Sequence, residues 1–239
     1  MKIAIVITLL TIFSLGSSAQ DQFTGWLASF NTVKIGKKTS LHTDIQFRSS
    51  DDWEHSQTFL LRPGINFHLN KKLTLTAGYA YIHNRRTISG TTDYLPEHRL
   101  WEQLLINHKW KNISVSHRFR LEQRFIPRVI VQPDELNVDG FVMMNRFRYF
   151  IRNIIPFKSQ PTFSKGMFGA LQNEVFVNVT GKRKTNGEFF DQNRLYIATG
   201  YRISPKADIE VGYMYQYVNG SGSQFSRIHI LQLAGYLRL

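Results

Sequence analysis

Cysteine is absent from the 239-residue sequence, so the chain can form neither a disulfide nor a thiolate metal site. Acidic residues are scarce as well: 17 Asp and Glu stand against 30 Lys and Arg, a formal net charge of +13. A basic balance of this size suits anionic lipid or nucleic acid as a partner, and equally a solvated surface. The positions of the arginines along the chain distinguish between these alternatives.

Beyond residue 19 the sequence lacks any apolar run that approaches the roughly 20 residues of a membrane-spanning helix. The apolar run at residues 3–15 follows Lys2 and precedes the small residues Ser17 and Ala19. This order is typical of a secretory signal peptide; an uncleaved anchor is the alternative. We predict a signal peptide over residues 1–19 and a mature domain over residues 20–239, with a net charge of +12 (29 minus 17) once Lys2 is removed.

Signature motifs of common enzyme classes are missing too. The sequence contains no GxSxG, GxGxxG, P-loop or HExxH pattern. Its eight histidines are scattered, and no two of them have metal-ligand spacing on one strand face. We therefore expect no catalytic residues, no cofactor, no metal site and no enzyme activity.

The sequence does have a strong alternation of apolar and polar residues with a period of two. In residues 113–125, Val115, Phe119 and Leu121 alternate with Arg118 and Arg120. A helix would need apolar residues at spacings of three and four, where this segment has serine, histidine and arginine. The pattern predicts a β-strand.

Eleven segments follow this rule, each about 10 to 15 residues long, which exceeds the usual globular strand and suits a tilted strand that crosses a bilayer. They are 23–34, 39–48, 57–68, 73–82, 99–110, 113–125, 141–155, 167–179, 191–202, 207–217 and 226–239. Short polar turns alternate with longer predicted loops at 49–56, 83–98, 126–140, 180–190 and 218–225, and the 156–166 link is long for the short-turn side. This asymmetry is typical of an outer-membrane barrel with its short turns in the periplasm.

The predicted fold is all-β: a transmembrane antiparallel up-and-down β-barrel of about 10–12 strands. Eleven strands are counted, whereas single-chain bacterial barrels have an even number. Either one strand is missing from the count or the 23–34 segment is not a full wall strand. A soluble β-sandwich, whose strands also alternate, is the alternative fold.

Within each predicted strand, polar and apolar residues fall on opposite faces. Arginine on a lipid-facing wall costs about 2–4 kcal/mol near the bilayer midplane, so we place the polar face inside the barrel. The predicted lumen-lining residues are Arg48, Arg62, Arg118, Arg120, Glu122, Arg124, Arg146, Arg148, Arg152, Glu174, Arg194, Arg202 and Glu210. The opposite faces carry apolar and aromatic residues, among them Leu75, Tyr79, Phe147, Ile197 and Tyr213.

An arginine-lined lumen has two interpretations. It can favour small anionic solutes in a narrow, porin-like channel, as charged rings do in pores. Alternatively, arginine and glutamate pair across the strands and occlude the lumen, which leaves a structural or surface-interaction barrel. A third hypothesis is a lipid-modifying outer-membrane enzyme that uses His117 and His229, because both lie on the apolar face where a Ser–His pair would sit.

Short motifs in chain order resemble one known family. They lie at residues 61–64 (LRPG), 78–81 (GYAY), 99–103 (RLWEQ), 117–125 (HRFRLEQRF), 145–149 (NRFRY), 173–176 (NEVF) and 191–196 (DQNRLY). The chain resembles the domain-of-unknown-function family 2490, predicted outer-membrane β-barrel proteins of Bacteroidota. The resemblance implies a barrel and supplies no activity.

The expected location is the bacterial outer membrane. The expected partners are outer-membrane lipid and lipopolysaccharide, the barrel-assembly machinery and small anionic solutes, and not nucleic acid. Lipopolysaccharide would meet the predicted loop cations Arg85, Arg86, Lys182, Arg183 and Lys184. The assembly machinery would meet the alternating segment 231–239, which resembles the C-terminal assembly signal of such barrels, with Leu239 in place of the usual Phe.

Overall fold

The computed structural model describes residues 19–239 except 159 and 161, and it is a closed β-barrel of eleven strands. The strands are β1 Ala19–Lys34, β2 Thr39–Ser50, β3 His55–His68, β4 Leu73–Ile88, β5 Thr91–Trp110, β6 Ile113–Val131, β7 Leu136–Pro156, β8 Gly166–Asn178, β9 Phe190–Ser204, β10 Ala207–Asn219 and β11 Phe225–Arg238. The all-β prediction and the count of eleven are confirmed. The predicted signal peptide lies outside the described residues apart from Ala19.

Each strand pairs antiparallel with its neighbour in the chain, and the barrel closes through one parallel pair, β1 with β11. This register runs from Ala19 opposite Phe225 to Thr32 opposite Arg238. An odd number of strands makes such a pair necessary, because the first and last strands then run in the same direction. The expectation of an even number is wrong, and the 23–34 segment is part of a full wall strand that pairs on both sides.

The two ends of the barrel are named by their connections. The lower end carries residues 35–38, 69–72, 111–112, 157–165 and 205–206, and the upper end carries 51–54, 89–90, 132–135, 179–189 and 220–224. Two predicted upper loops, 83–98 and 126–140, are wrong: most of their residues continue β4–β5 and β6–β7 as paired hairpins. The prediction ended these strands where polar residues become frequent, although the backbone pairing continues and inward residues such as Leu95 and Glu97 keep the period of two.

Phe163, in the long connection between β7 and β8 at the lower end, packs against the barrel. Arg202 Nη1 donates to the carbonyl oxygen of Phe163 at 2.9 Å, and its guanidinium lies 4.5 Å from the Phe163 ring. The Phe163 ring also meets the fully buried Phe168 edge-on. Phe163 thus anchors this link, whose length the sequence pattern did not explain, to β8 and β9.

The outer wall is apolar over most of its surface. Large hydrophobic side chains are exposed on every strand, for example Leu27, Phe67, Leu121, Ile197 and Leu233. One exception lies between β5 and β6, where the outward Gln123 donates to the outward Glu102 carboxylate at 3.1 Å. Among the described residues, no helix is long and apolar enough to cross a membrane.

Tyrosine and histidine form diagonal pairs on the outer wall. Tyr213 Oη lies 2.6 Å from His229 Nδ1 between β10 and β11, and Tyr149 Oη lies 2.9 Å from His117 Nδ1 between β6 and β7. Ring–ring contacts extend the first pair to Tyr215. Amphipathic rings of this kind are favoured where an apolar wall meets water.

Candidate functional site

The structure places all thirteen predicted lumen residues on the inner side of the wall, where they are buried or half-buried. Nine of them are buried: Arg62, Arg120, Glu122, Arg124, Arg146, Arg148, Arg152, Glu174 and Glu210. The half-buried ones are Arg48, Arg118, Arg194 and Arg202. They do not form one uniform lining, because most of them form ion pairs with each other or with nearby acids, whereas two arginines do not.

Glu122 is the centre of a buried ion-pair network. Arg146 Nη2 donates to its Oε2 at 2.8 Å, and Arg148 Nη1 donates to its Oε1 at 2.5 Å. Arg99 lies 3.5 Å and Arg120 lies 3.9 Å from the same carboxylate. Four guanidinium groups from β5, β6 and β7 thus surround one carboxylate that is 1% exposed.

Two further carboxylates extend this network along the wall. Glu174 on β8 accepts hydrogen bonds from Arg118 and Arg148, each at 2.7 Å. Glu97 on β5 accepts hydrogen bonds from arginines of β5 and β6, also at 2.7 Å. We call this cluster the paired layer; it consists of Glu97, Glu122, Glu174, Arg99, Arg118, Arg120, Arg124, Arg146 and Arg148.

Another ion pair crosses the lumen. Arg152 on β7 donates to Glu210 on β10 at 2.5 Å, and Tyr196 donates its hydroxyl to the same carboxylate at 2.9 Å. Tyr236 on β11 adds a third hydrogen bond at 3.3 Å. Side chains from four strands therefore meet at one carboxylate and narrow the interior.

The remaining ion pairs link neighbouring strands. Arg62 lies 3.1 Å from Asp44 between β3 and β2, and Arg202 lies 2.8 Å from Asp208 between β9 and β10. Ions taken out of water are tolerated only when they are paired and hydrogen-bonded, and arginine suits this role because its planar fork bonds a carboxylate in several directions. These contacts account for most of the predicted lumen residues as structural ion pairs.

Arg48 and Arg194 differ from this group, because neither forms an ion pair with a carboxylate in the part of the chain that the structure describes. Arg48 donates to Gln46 Oε1 from Nη2 at 2.6 Å, and Arg194 donates to Gln216 Oε1 from Nε at 3.1 Å. Their guanidinium carbons lie 3.8 Å and 5.1 Å from the ring of Trp26. Cation–π contact and neutral amides thus hold both cations in place. We call the two cations Arg48 and Arg194, together with the Trp26 ring that both contact, the open cation pair.

The charge balance of the interior follows from these contacts. Seven arginines and seven carboxylates are buried, so the buried set is neutral. The arginines are Arg62, Arg99, Arg120, Arg124, Arg146, Arg148 and Arg152, and the carboxylates are Asp44, Glu97, Glu122, Glu174, Asp191, Asp208 and Glu210. To this neutral set, the half-buried members of the predicted lumen set, Arg48, Arg118, Arg194 and Arg202, add further positive charge.

Three cavities lie in series along the barrel. A lower vestibule of about 660 Å³ is lined by Lys37, Lys38 and Lys71, and it shares Arg118 and Phe150 with a central cavity of about 160 Å³. The central cavity in turn shares Trp26 and Arg48 with an upper vestibule of about 580 Å³. Side chains separate the three spaces, and the open cation pair stands between the upper two.

Sequence reasoning missed several interior residues. Glu97 fell in a predicted loop, although Leu95, Glu97, Arg99 and Trp101 continue the inward alternation of β5. Extending the period of two through that polar stretch would have found it. Trp26 was missed as a partner of arginine because contacts between β1, β2 and β9 depend on how the barrel closes.

The two histidines of the lipid-enzyme hypothesis lie apart in the structure, His117 on β6 and His229 on β11, each with a tyrosine partner. Among the described residues, no group of three His, Asp or Glu side chains could hold a metal ion.

A family model described as "Protein of unknown function (DUF2490)" matches residues 23–227. The chain is also similar to an uncharacterized protein of Methylorubrum extorquens, with 27% identity over 215 residues that cover 87% of this chain and 85% of that protein. No solved structure matches.

Proposed function

This chain belongs to the family described as protein of unknown function (DUF2490), and from that premise we propose that it is a bacterial outer-membrane barrel whose narrow lumen passes small anions. The family description assigns no activity, so the proposal depends on the barrel itself. The observation that carries it is the open cation pair: among the described residues, Arg48 and Arg194 face interior space without an ion pair to a carboxylate.

The distribution of charge supports insertion in a membrane. Apolar side chains cover the outside, while the arginines that would cost about 2–4 kcal/mol each on a lipid face lie inside. The strands have 12 to 21 residues, enough for a tilted crossing. We propose that the lower end faces the periplasm, since the hairpins β4–β5 and β6–β7 extend far beyond their neighbours at the upper end.

The interior charge supports anions as the solutes. Its excess of arginine lowers the energy of an anion and raises that of a cation within the lumen. The lysines of the lower vestibule add positive charge at the entrance. Because the central cavity measures only about 160 Å³, the solutes have to be small.

Planar-bilayer recording of the purified barrel tests this proposal. We expect small current steps and, in a KCl gradient, a reversal potential displaced toward the chloride equilibrium potential. The same preparation should migrate faster on a gel when unheated, as a folded barrel does. A folded barrel that shows cation selectivity would contradict the proposal.

A structural barrel with an occluded lumen is the second candidate, and the paired layer favours it. Arg120 and Glu122 are each 1% exposed, and ion pairs from β6 to β8 and from β7 to β10 cross the interior. This candidate predicts heat-dependent migration on the gel without any current above background. Both candidates therefore predict a folded barrel, and they differ in whether the barrel conducts a current.

The surface partners proposed for the barrel are outer-membrane lipid and lipopolysaccharide. The turn Lys182–Lys184 places three cations at the upper end, and none of the three is buried. Phosphate groups of lipopolysaccharide complement such a turn. The barrel-assembly machinery remains the predicted partner during insertion, and we propose no catalytic activity and no binding of nucleic acid.

A further inference from the structure

Between β1 and β2 the wall is not hydrogen-bonded over its full height. The β1–β2 ladder ends at Trp26 opposite Arg48, although β1 continues upward to Ala19 beside β11. One step above the ladder, Gly25 donates its N–H to Ser49 Oγ at 2.8 Å, and the Ser49 hydroxyl lies 3.3 Å from the Gly25 carbonyl oxygen. A serine side chain thus takes the place of a backbone pair, next to a register shift in β2 between Arg48 and Ser49.

The inner side of this interruption is polar and positively charged. Ser49, Trp26 and Arg48 line the upper vestibule together. Arg194 approaches the same indole from β9, so two guanidinium groups lie close to the interrupted wall. An anion at this place would meet two cations that form no ion pair with a carboxylate of the described residues. Glu174, which lies opposite Arg194 in the β8–β9 register, is paired with Arg118 and Arg148 instead.

The outer side of the interruption is apolar. A groove of about 600 Å³ begins at Ser49 and is lined by Leu27, Phe47, Leu231 and Leu233 from β1, β2 and β11. Its volume falls in the range of about 300–1,000 Å³ that is usual for small-molecule sites. Because Ser49 and Arg48 line both the groove and the upper vestibule, the apolar and the positively charged spaces adjoin.

Trp53 covers the upper part of the groove. Its ring packs over Gly25, where an added Cβ would lie only 2.9 Å from the ring atoms, and it stacks with Phe23. The backbone of Trp53 has φ 79°, in the left-handed region that is strained for a bulky residue, and Asp52 before it has φ 51°. Strain of this kind persists only where surrounding contacts maintain it, and it is concentrated at functional sites.

We propose that this interruption is a lateral portal that holds a single-chain anionic amphiphile, with its head group at Arg48 and Arg194 and its acyl chain in the outer groove. The inference rests on the proposed membrane location, since the chain would enter from the lipid. A carboxylate or phosphate head suits guanidinium forks, and an acyl chain suits the leucine and phenylalanine lining. No chemical step is involved, only binding.

The test uses the full mature barrel in phosphatidylcholine vesicles with a photoreactive palmitate that carries a diazirine on its chain. After irradiation, mass spectrometry should find the label concentrated on Leu27, Phe47 and Leu231. Unlabelled palmitate should displace it, whereas methyl palmitate, which lacks the charge, should not. Label spread evenly over the outer wall, or equal displacement by the methyl ester, would overturn the proposal.

Substitutions of Arg48 and Arg194 test whether these residues bind the head group. The double substitution Arg48→Gln and Arg194→Gln should reduce labelling of the groove about tenfold. Arg227→Gln is the matched control, because Arg227 lies near the same end of the β1–β11 seam but is exposed and paired with Asp21. Unchanged labelling in a double variant that still migrates as a folded barrel would also refute the portal.

The two proposals fail in different ways. A chain without heat-dependent migration and without membrane association would remove the membrane function itself, and the portal with it. A folded, anion-selective barrel that takes up palmitate and methyl palmitate alike would leave the membrane function intact and remove only the portal.

Discussion

Two regions of one lumen use arginine in opposite ways. In the paired layer, four guanidinium groups surround Glu122, and the carboxylates of Glu97 and Glu174 extend the network across four strands. In the open cation pair, Arg48 and Arg194 share an indole and neutral amides instead of a carboxylate. Residues that look alike in sequence therefore differ in role according to which strands bring acids to them.

The contrast follows from the cost of burying charge. A buried guanidinium is stabilised by a carboxylate close by. In the paired layer even Arg120, whose hydrogen bonds go to Gln103, lies 3.9 Å from Glu122. Arg48 and Arg194 are only half-buried and border cavities, so water or a ligand can solvate their free N–H groups. The paired layer thus stabilises the fold, and the open cation pair remains available for binding.

The largest expected effect comes from Glu122→Gln. It would leave four arginines without their shared carboxylate, and breaking a buried pair costs about 3–5 kcal/mol. Urea unfolding, followed by loss of the fast-migrating gel band, measures the change. Glu135→Gln, in the exposed turn of the neighbouring β6–β7 hairpin, is the matched control. Equal stability of both variants would show that the paired layer does not hold the barrel together.

The second prediction concerns how much the open cation pair contributes to the stability of the barrel. Replacing Arg48 and Arg194 by Gln removes three cation–π contacts, two with Trp26 and one between Arg194 and Phe176. Each is worth about 0.5–1 kcal/mol where the cation is not fully desolvated. In the same urea experiment, the midpoint should shift less than it does for Glu122→Gln. A loss as large as that of Glu122→Gln would mean that the two regions are not distinct.

The third prediction uses the fluorescence of Trp26. The indole lies between two unneutralised cations, so iodide should quench it more strongly than caesium does. The measurement uses a Trp110→Phe background, which removes the exposed indole that lies under Lys111. In that background Trp26→Phe should remove the excess from the total emission. Quenching that is independent of the sign of the quencher would argue against a local positive potential.

The smallest effect is expected from the lower vestibule. Lys37→Gln with Lys38→Gln should lower the anion current at low ionic strength and have little effect at high salt, because exposed charges are screened beyond about 10 Å at 0.1 M. Current recordings over a salt series measure the difference. A salt-independent loss would place these lysines in the narrow part of the pathway instead.

Much of this fold could be predicted from the alternation of residues such as Val115, Phe119 and Arg120, since a period of two assigns each side chain to one face. The upper hairpins were missed because polar residues are frequent in 83–98 and 126–140, although exposed apolar residues such as Phe141 and Met143 continue the outer face. The pattern gave eleven strands, but the closure through a parallel β1–β11 pair was not predicted because an even number was expected for such barrels.

The candidate site could likewise be predicted only in part from the sequence. The thirteen lumen positions follow from parity, but the pairing of Arg148 with Glu174 and the isolation of Arg194 depend on the register between strands. Trp26 illustrates this most clearly. Its contact with Arg48 comes from direct pairing of β1 with β2, whereas its contact with Arg194 crosses from β1 to β9.

The reversal potential of the double variant in a KCl gradient tests the central claim most directly. Wild-type barrel should reverse close to the chloride equilibrium potential, and the barrel with Arg48→Gln and Arg194→Gln should move markedly toward zero or to the potassium side. Arg227→Gln should behave like the wild type. An anion selectivity that survives loss of both arginines in a folded, conducting barrel would contradict the division of the lumen into a paired layer and an open cation pair.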